Sequence, residues 1–407
     1  TDDADASQFV LRAASGFPVA SDVVRMVPGA NGATLEHFTI ATDADLTSDG
    51  VEGDCTAAAA TAKATPNGVQ IPGGSAKKLG RGLVVTGGCY AEATDLVVSG
   101  AKNEGAYVKT DGAGTTALVQ GEISGNGKSG VAVEAGKVTV QGTAGELLSI
   151  HDNGQFGVLL TSDAASPKAV DVTLQYLDVH DNTESGVILD TVKRTNAANV
   201  ALLNSQIYKN KASTTLSQIG AANRPIGGFA IVSDPPTMSF KGNVICTNSG
   251  DELGVWTELS VGLSGDACNA TSNTILKAAA GNLVYSTAAS PNVTVNNNYW
   301  SASPPTSRFV GVLQHNNPFC SMPATTPAFC QSLRVRAAPA QHAARPDFRK
   351  PPDRRRMAHR SRRTGVGAGA YARGRRRERG RYQEQLRMDC HALADPGINS
   401  VGRAGLD

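Results

Sequence analysis

One unit recurs along this chain and limits what it can fold into: a Gly followed by alternating apolar residues. It appears as Gly68-Val69-Gln70-Ile71, Gly105-Ala106-Tyr107-Val108, Gly130-Val131-Ala132-Val133 and Gly157-Val158-Leu159-Leu160. It continues as Gly186-Val187-Ile188-Leu189, Gly228-Phe229-Ala230-Ile231 and Gly254-Val255-Trp256-Thr257. Successive glycines stand 37, 25, 27, 29, 42 and 26 residues apart, so the period is 25–29 residues with two longer excursions. Ahead of most of them come an apolar residue, two others and an Asn. The instances are Ile123-Ser124-Gly125-Asn126, Ile150-His151-Asp152-Asn153, Val179-His180-Asp181-Asn182, Ile207-Tyr208-Lys209-Asn210 and Ile245-Cys246-Thr247-Asn248. Further upstream are runs such as Val138-Thr139-Val140, Val172-Thr173-Leu174 and Val200-Ala201-Leu202. Each period therefore holds two or three strands of 3–5 residues, alternating with period two and without helical spacing.

Strands this short cannot bury a face alone, so equivalent strands must stack from one repeat to the next. Each repeat becomes one turn of a solenoid with parallel sheets and a rise of ~4.8 Å. Asn tolerates a left-handed bend and offers an amide to the next turn, which predicts an internal Asn ladder, with the following Gly at a tight corner. A leucine-rich repeat would need a helix per unit and a propeller longer, four-stranded units; neither pattern is present. These residues resemble the right-handed parallel β-helix repeat family, the pectate-lyase-like superfamily, over roughly residues 33–300. Asn296-Asn297-Asn298-Tyr299-Trp300 is similar to the last coils of such proteins. The expected fold is all-β, a right-handed parallel β-helix of about eight coils.

The ends of the chain differ from this body. Residues 331–407 carry 19 Lys+Arg against 7 Asp+Glu, a net of +12, whereas residues 1–330 net −10. The tail has 18 Arg and a single Lys, with Arg354-Arg355-Arg356, Arg362-Arg363 and Arg375-Arg376-Arg377 spaced by Ala, Gly and Pro. Three readings stay open: an arm for nucleic acid or an acidic polymer, a disordered tail unable to bury a core, or the product of a shifted reading frame. Gly365, Gly367 and Gly369 follow no strand and make no dinucleotide fingerprint. The expected divisions are an N-terminal cap over 1–32, the β-helix over 33–312 with insertions about 43–80 and 211–227, a Cys/Pro-rich closing segment over 313–332, and the tail over 333–407.

No apolar run approaches the ~18 residues of a membrane span. Six of the seven Cys lie in the body and fall into neighbours, Cys55/Cys89, Cys246/Cys268 and Cys320/Cys330. Six Cys allow fifteen connectivities, so sequential pairing is one expectation among several. Without C-x-x-C the even count points to disulfides and an oxidising compartment, hence to a secreted or cell-surface protein. The chain opens at Thr1 rather than Met, as after removal of a leader or in a fragment.

Fold alone does not choose a function here. The resemblance implies a superfamily of polysaccharide lyases, polygalacturonase-like hydrolases, uronate epimerases and non-catalytic surface proteins. The N-T-D, G-H-G and R-I-K motifs of polygalacturonase-like enzymes are missing, and adjacent aspartates occur only at Asp2-Asp3. The D-P-H of alginate-epimerase-like enzymes and the W-x-D-H and R-x-P-x-x-R of pectate-lyase-like enzymes are missing too.

Stacking of the Asn residues places His151 under His180 and Asp152 under Asp181, with Tyr208 and Lys209 on the next turn. Two carboxylates beside a Lys can hold Ca²⁺ and a uronate, with Lys209 as base. The alternative is bend chemistry, with Asp and Asn capping each corner. Asp43, Asp45, Asp49, Glu52 and Asp54 form an acidic loop with the D-x-x-x-D-G start of a Ca²⁺ loop, but Thr56 stands where an EF-hand needs Glu; an acidic surface loop is the other reading. Tyr107, Ala132, Leu159, Ile188, Ala230 and Trp256 form an expected outward apolar column. Either the long excursions cover it, or Tyr107 and Trp256 bind sugar rings, or it is a subunit contact. The leading expectation is a non-catalytic β-helix that binds polysaccharide, neutral glycan in preference to polyanion, or another surface partner. No nucleic acid is expected for the body. The alternative is a Ca²⁺-assisted polysaccharide lyase using the Asp152, Asp181 and Lys209 side.

Overall fold

The computed structural model describes residues 79–300, apart from 88–89, 111–114, 163–169, 191–198, 213–225, 233–236, 257–260, 266–271, 277–281 and 287–292. It also describes nine short strands outside that range and Cys330. The chain divides after Ala340, and all of 341–407 lies outside the described residues.

Every strand of the described body pairs in parallel with the strand one coil earlier or later. The coil from Val170 shows the plan. Strand Val170–Gln175 ends at Tyr176 in a left-handed bend (φ 53°), Leu177–His180 ends at Asp181 in another (φ 52°), and Val187–Leu189 forms the third side. Alternation sends every second side chain inward, so like residues stack in columns. One column reads Val98, Ile123, Ile150, Val179, Ile207, Ile245 and Ile275. All seven are buried, and β-branched side chains dominate because the pleated surface suits them.

Among the described residues the backbone register of the third side runs furthest, through Val24, Val51, Leu83, Ala106, Val131, Val158, Val187, Phe229, Leu253, Val284 and Phe309. The helix is therefore longer than eight coils. Strands Val10–Ala13 and Val24–Met26, expected within a cap, pair in the same ladders. Strands Val51–Cys55, Lys63–Asn67 and Gln70–Ile71, expected within an insertion, are ordinary rungs. At the other end Leu313–Gln314 pairs with Val293–Thr294.

The repeat glycines need two corrections of register. Ile71 aligns with Val98, so the Gly68 unit lies on a different side from the Gly105 unit, whose true predecessor is Leu83-Val84-Val85. Ala230 aligns with Gly254, so Trp256 lies beyond the column and Tyr285 takes the next place in it. The corner chemistry also differs from expectation. The left-handed residue is the one before each Asn: Gly125, Asp152, Asp181, Lys209 and Thr247, with φ of 52–62°. Glycine four residues after the Asn serves close stacking instead. A Cβ on Gly130 would lie 2.8 Å from both Gly157 O and Asn153 Nδ2.

The Asn ladder forms as expected. Side-chain amides run Asn126→Asn153→Asn182→Asn210→Asn248 with N···O distances of 2.8–3.0 Å, and Asn248 ends the chain on buried Glu252 at 2.7 Å. Each interior amide also donates to a carbonyl of the preceding coil, such as Asn182 to Ile150 O at 3.2 Å. Burial at 2% exposure or less makes these bonds count, because each buried polar group needs a partner. A second ladder, Asn243→Asn273→Asn298, lines another corner.

Candidate functional site

Alternation that turns Val179 inward turns Asp178 and His180 outward, and the same holds on each coil. The outward face beside the Asn corner thus carries two columns. The first is Ser124, His151, His180, Tyr208 and Cys246; the second is Glu122, Ser149, Asp178, Gln206 and Val244. The rings of the first stack face to face. His151 and His180 lie 4.8 Å apart at 3°, and His180 and Tyr208 lie 4.9 Å apart at 16°. Because the faces cover one another, the row shows solvent its edges, which carry ring nitrogens and a hydroxyl.

Carboxylates flank this row on both sides. His151 Nδ1 meets Asp152 Oδ2 at 2.8 Å and its Nε2 meets Glu122 Oε1 at 3.2 Å. His180 Nδ1 meets Asp181 Oδ2 at 2.9 Å. The left-handed bend explains both close pairs, since it swings the Asp side chain back beside the preceding ring. Tyr208 donates its hydroxyl to Asp178 Oδ2 at 3.4 Å. Burial pushes the Asp178 carboxyl above its usual range, although His180 and the Tyr208 hydroxyl pull the other way. Burial and then the Asp178 charge push the Tyr208 phenol up as well.

The structure thus brings His151, His180, Asp152, Asp181 and Lys209 to one face. Yet each Asp turns to its own His, and Lys209 Nζ leans toward the Tyr208 ring, 5.8 Å from its centre. Among the described residues no three His, Cys, Asp or Glu are arranged to hold a metal ion. Asp43, Asp45 and Asp49 lie outside the described residues, as do the side chains of Glu52 and Asp54.

The expected sugar-stacking residues are occupied otherwise. Tyr107 has the Arg81 guanidinium over its ring at 4.1 Å and donates its hydroxyl to Glu134, which Lys109 also binds at 2.6 Å. Burial and the Glu134 bond push its pKa up. Arg81 also bonds Glu104 at 2.8 Å. Burial would raise the Glu104 carboxyl, but the bonds it accepts and the charges of Arg81 and Lys128 hold it below its ordinary value. Trp256 packs with Phe156, Ile188, Ile226 and Ala230, so it covers the outward apolar column instead of belonging to it. Ile226, at the end of the second excursion, and Phe156 complete that cover.

Cysteine pairing also departs from neighbour with neighbour. Cys246 bonds Cys330, 84 residues away, with Cα atoms 6.0 Å apart. Cys246 is the rung after Tyr208 in the ring column, and the two cysteines bury with Leu276. Distance in space, which the number of intervening residues does not encode in a solenoid, decides the pair. Cys89, Cys268 and Cys320 lie outside the described residues, and so does the side chain of Cys55.

Glu122, Ser149 and Asp178 were not singled out from the sequence. The signal was present: each stands two residues before the ring column, hence on the same face of its strand. Comparison with family models, curated proteins and solved structures found no match.

Proposed function

We propose that this β-helix binds a polysaccharide laid along the solenoid axis over the His151, His180 and Tyr208 edges, as a secreted or cell-surface protein. The observation that carries the reading is the regular row of polar edges at 4.8 and 4.9 Å. A ligand that repeats hydroxyl groups along its length meets such a row with a bond at each coil, and several modest bonds add up. Glu122, Asp152, Asp178 and Asp181 against Lys209 alone favour a neutral or basic chain over a uronate polymer. The Cys246–Cys330 disulfide supports an oxidising compartment. Parallel coils and the Asn ladder support kinship with the pectate-lyase-like superfamily.

The test is binding of the full chain to an array of neutral, basic and acidic glycans, repeated with His180→Ala and Tyr208→Ala. The expected result is binding without product formation, weakened about tenfold by either substitution, equal to ~1.4 kcal/mol. Absence of any bound glycan, or binding that ignores both substitutions, overturns the reading. Formation of unsaturated products from a uronate polymer, dependent on Ca²⁺ and lost in Lys209→Ala, would replace it with a lyase.

A further inference from the structure

The row has one break. On the first and third ring coils, the ring reaches across to the second column one coil back: His151 to Glu122, and Tyr208 to Asp178. For His180 the residue in that place is Ser149, whose side chain is too short to span the same gap. The Asp181 carboxylate accepts at His180 Nδ1, which places the neutral ring's proton there and leaves Nε2 an acceptor. Among the described residues neither His180 Nε2 nor Ser149 Oγ has a hydrogen-bond partner. The second column therefore dips at Ser149, which stands in register between Glu122 and Asp178, one coil to either side; this dip is the Ser149 notch.

Apart from the Ser149 hydroxyl, the groups around this notch accept hydrogen bonds, and two of them, Glu122 and Asp178, are carboxylates. A carboxylate entering here would meet two others, and a hydroxyl would bring a single donor. A protonated amine brings three donors and a compensating charge, and charge-assisted bonds are the strong ones. We propose that the Ser149 notch is the subsite for the amino group of an amino sugar within the bound polymer. The proposal rests on the glycan reading above and names its ligand class.

Three oligosaccharide probes of equal length and linkage test it with the full chain in low salt: β-1,4-linked glucosamine, N-acetylglucosamine and glucose oligomers. The glucosamine oligomer is expected to bind about tenfold tighter than the other two, with a preference that fades as salt rises. Ser149→Leu fills the notch on an outward, half-exposed position and should abolish the preference, whereas Ser149→Ala should keep most of it. His180→Gln, which leaves the notch open, should also reduce it. Equal binding of the three probes, or a preference that survives Ser149→Leu, overturns the subsite and leaves the row reading standing. Failure of all three probes, when the array yields a different glycan, also overturns the subsite. Failure of the array as a whole overturns the row itself.

Discussion

Asn182 measures how much of the fold rests on the amide ladder. It is fully buried and makes four side-chain bonds. Its Nδ2 donates to Asn210 Oδ1 at 2.8 Å and Ile150 O at 3.2 Å, and its Oδ1 accepts from Asn153 N at 3.1 Å and Asn153 Nδ2 at 2.9 Å. In Asn182→Ala the backbone N–H of Asn153 is orphaned. Two other groups keep one partner: Asn153 Nδ2 still reaches Ile123 O, and Asn210 Oδ1 still accepts from the residue-182 N–H. One orphaned donor at ~1–3 kcal/mol and three further bonds at ~0.5–1.5 each give a loss of about 5 kcal/mol. Asn126, nearer the end of the ladder, makes fewer such bonds, donating to Asn153 Oδ1 and accepting from Ala101 N. Asn126→Ala should cost about 3 kcal/mol by the same arithmetic. Equilibrium urea unfolding followed by circular dichroism measures both. A loss below about 1 kcal/mol for Asn182→Ala, or equal losses at the two sites, would refute the ladder as a cooperative support.

Other perturbations separate packing, charge and covalent closure. Gly157→Ala places a Cβ 2.6 Å from Gly186 O and 2.9 Å from Asn182 Nδ2, whereas Gly145 has nothing within 4 Å. The first should cost about 2 kcal/mol and the second almost nothing in the same urea assay; similar costs would discount coil-to-coil contact. Asp178 has a raised pKa in the fold, so its stabilising contribution belongs to the protonated form and is lost as pH rises through the folded value. Asp178→Asn should therefore stabilise the protein near neutral pH, with the gain shrinking as the pH falls through the raised folded value and gone below the ordinary carboxylate range. A gain that grows toward acid would reverse that sign. The Cys246–Cys330 bond closes a loop across 84 residues, so its reduction should lower stability by about 4.5 kcal/mol on the chain-entropy account. Cys330→Ser should abolish that sensitivity to a dithiol, and a wild-type curve unmoved by reduction would count against the bond.

Much of this architecture was legible because a solenoid writes its contacts into its period. His151 over His180 over Tyr208 followed from aligning the Asn residues, and the ladder followed from the amide at each corner. Errors arose where the apolar pattern could slide by two residues without changing its look. Gly254-Val255-Trp256 matches the unit in composition, yet Leu253 fills the inward place beside Phe229. A shift of two residues preserves alternation, so periodicity cannot detect it; only the bonded register can. Gly68-Val69-Gln70-Ile71 failed differently, because all sides of the coil share the same alternation and nothing in that run marks its side. The Cys246–Cys330 pair was illegible for a third reason: residues far apart in sequence meet at one end of a ring column.

The placement of the site follows from how labour is divided around each coil. Inward columns and the Asn corner hold the coils in register, and changes there disturb every neighbour. Outward positions pay little of that cost, so they can hold residues that the fold itself does not favour. Asp178 is such a residue, since its ionised form works against the folded state near neutral pH. Ser149 is another. A longer polar side chain there would reach His180, as Glu122 reaches His151, and complete the row from within. The bonds left open at that coil are the ones a ligand can make, and stacking at 4.8 and 4.9 Å gives that ligand a repeating surface on either side.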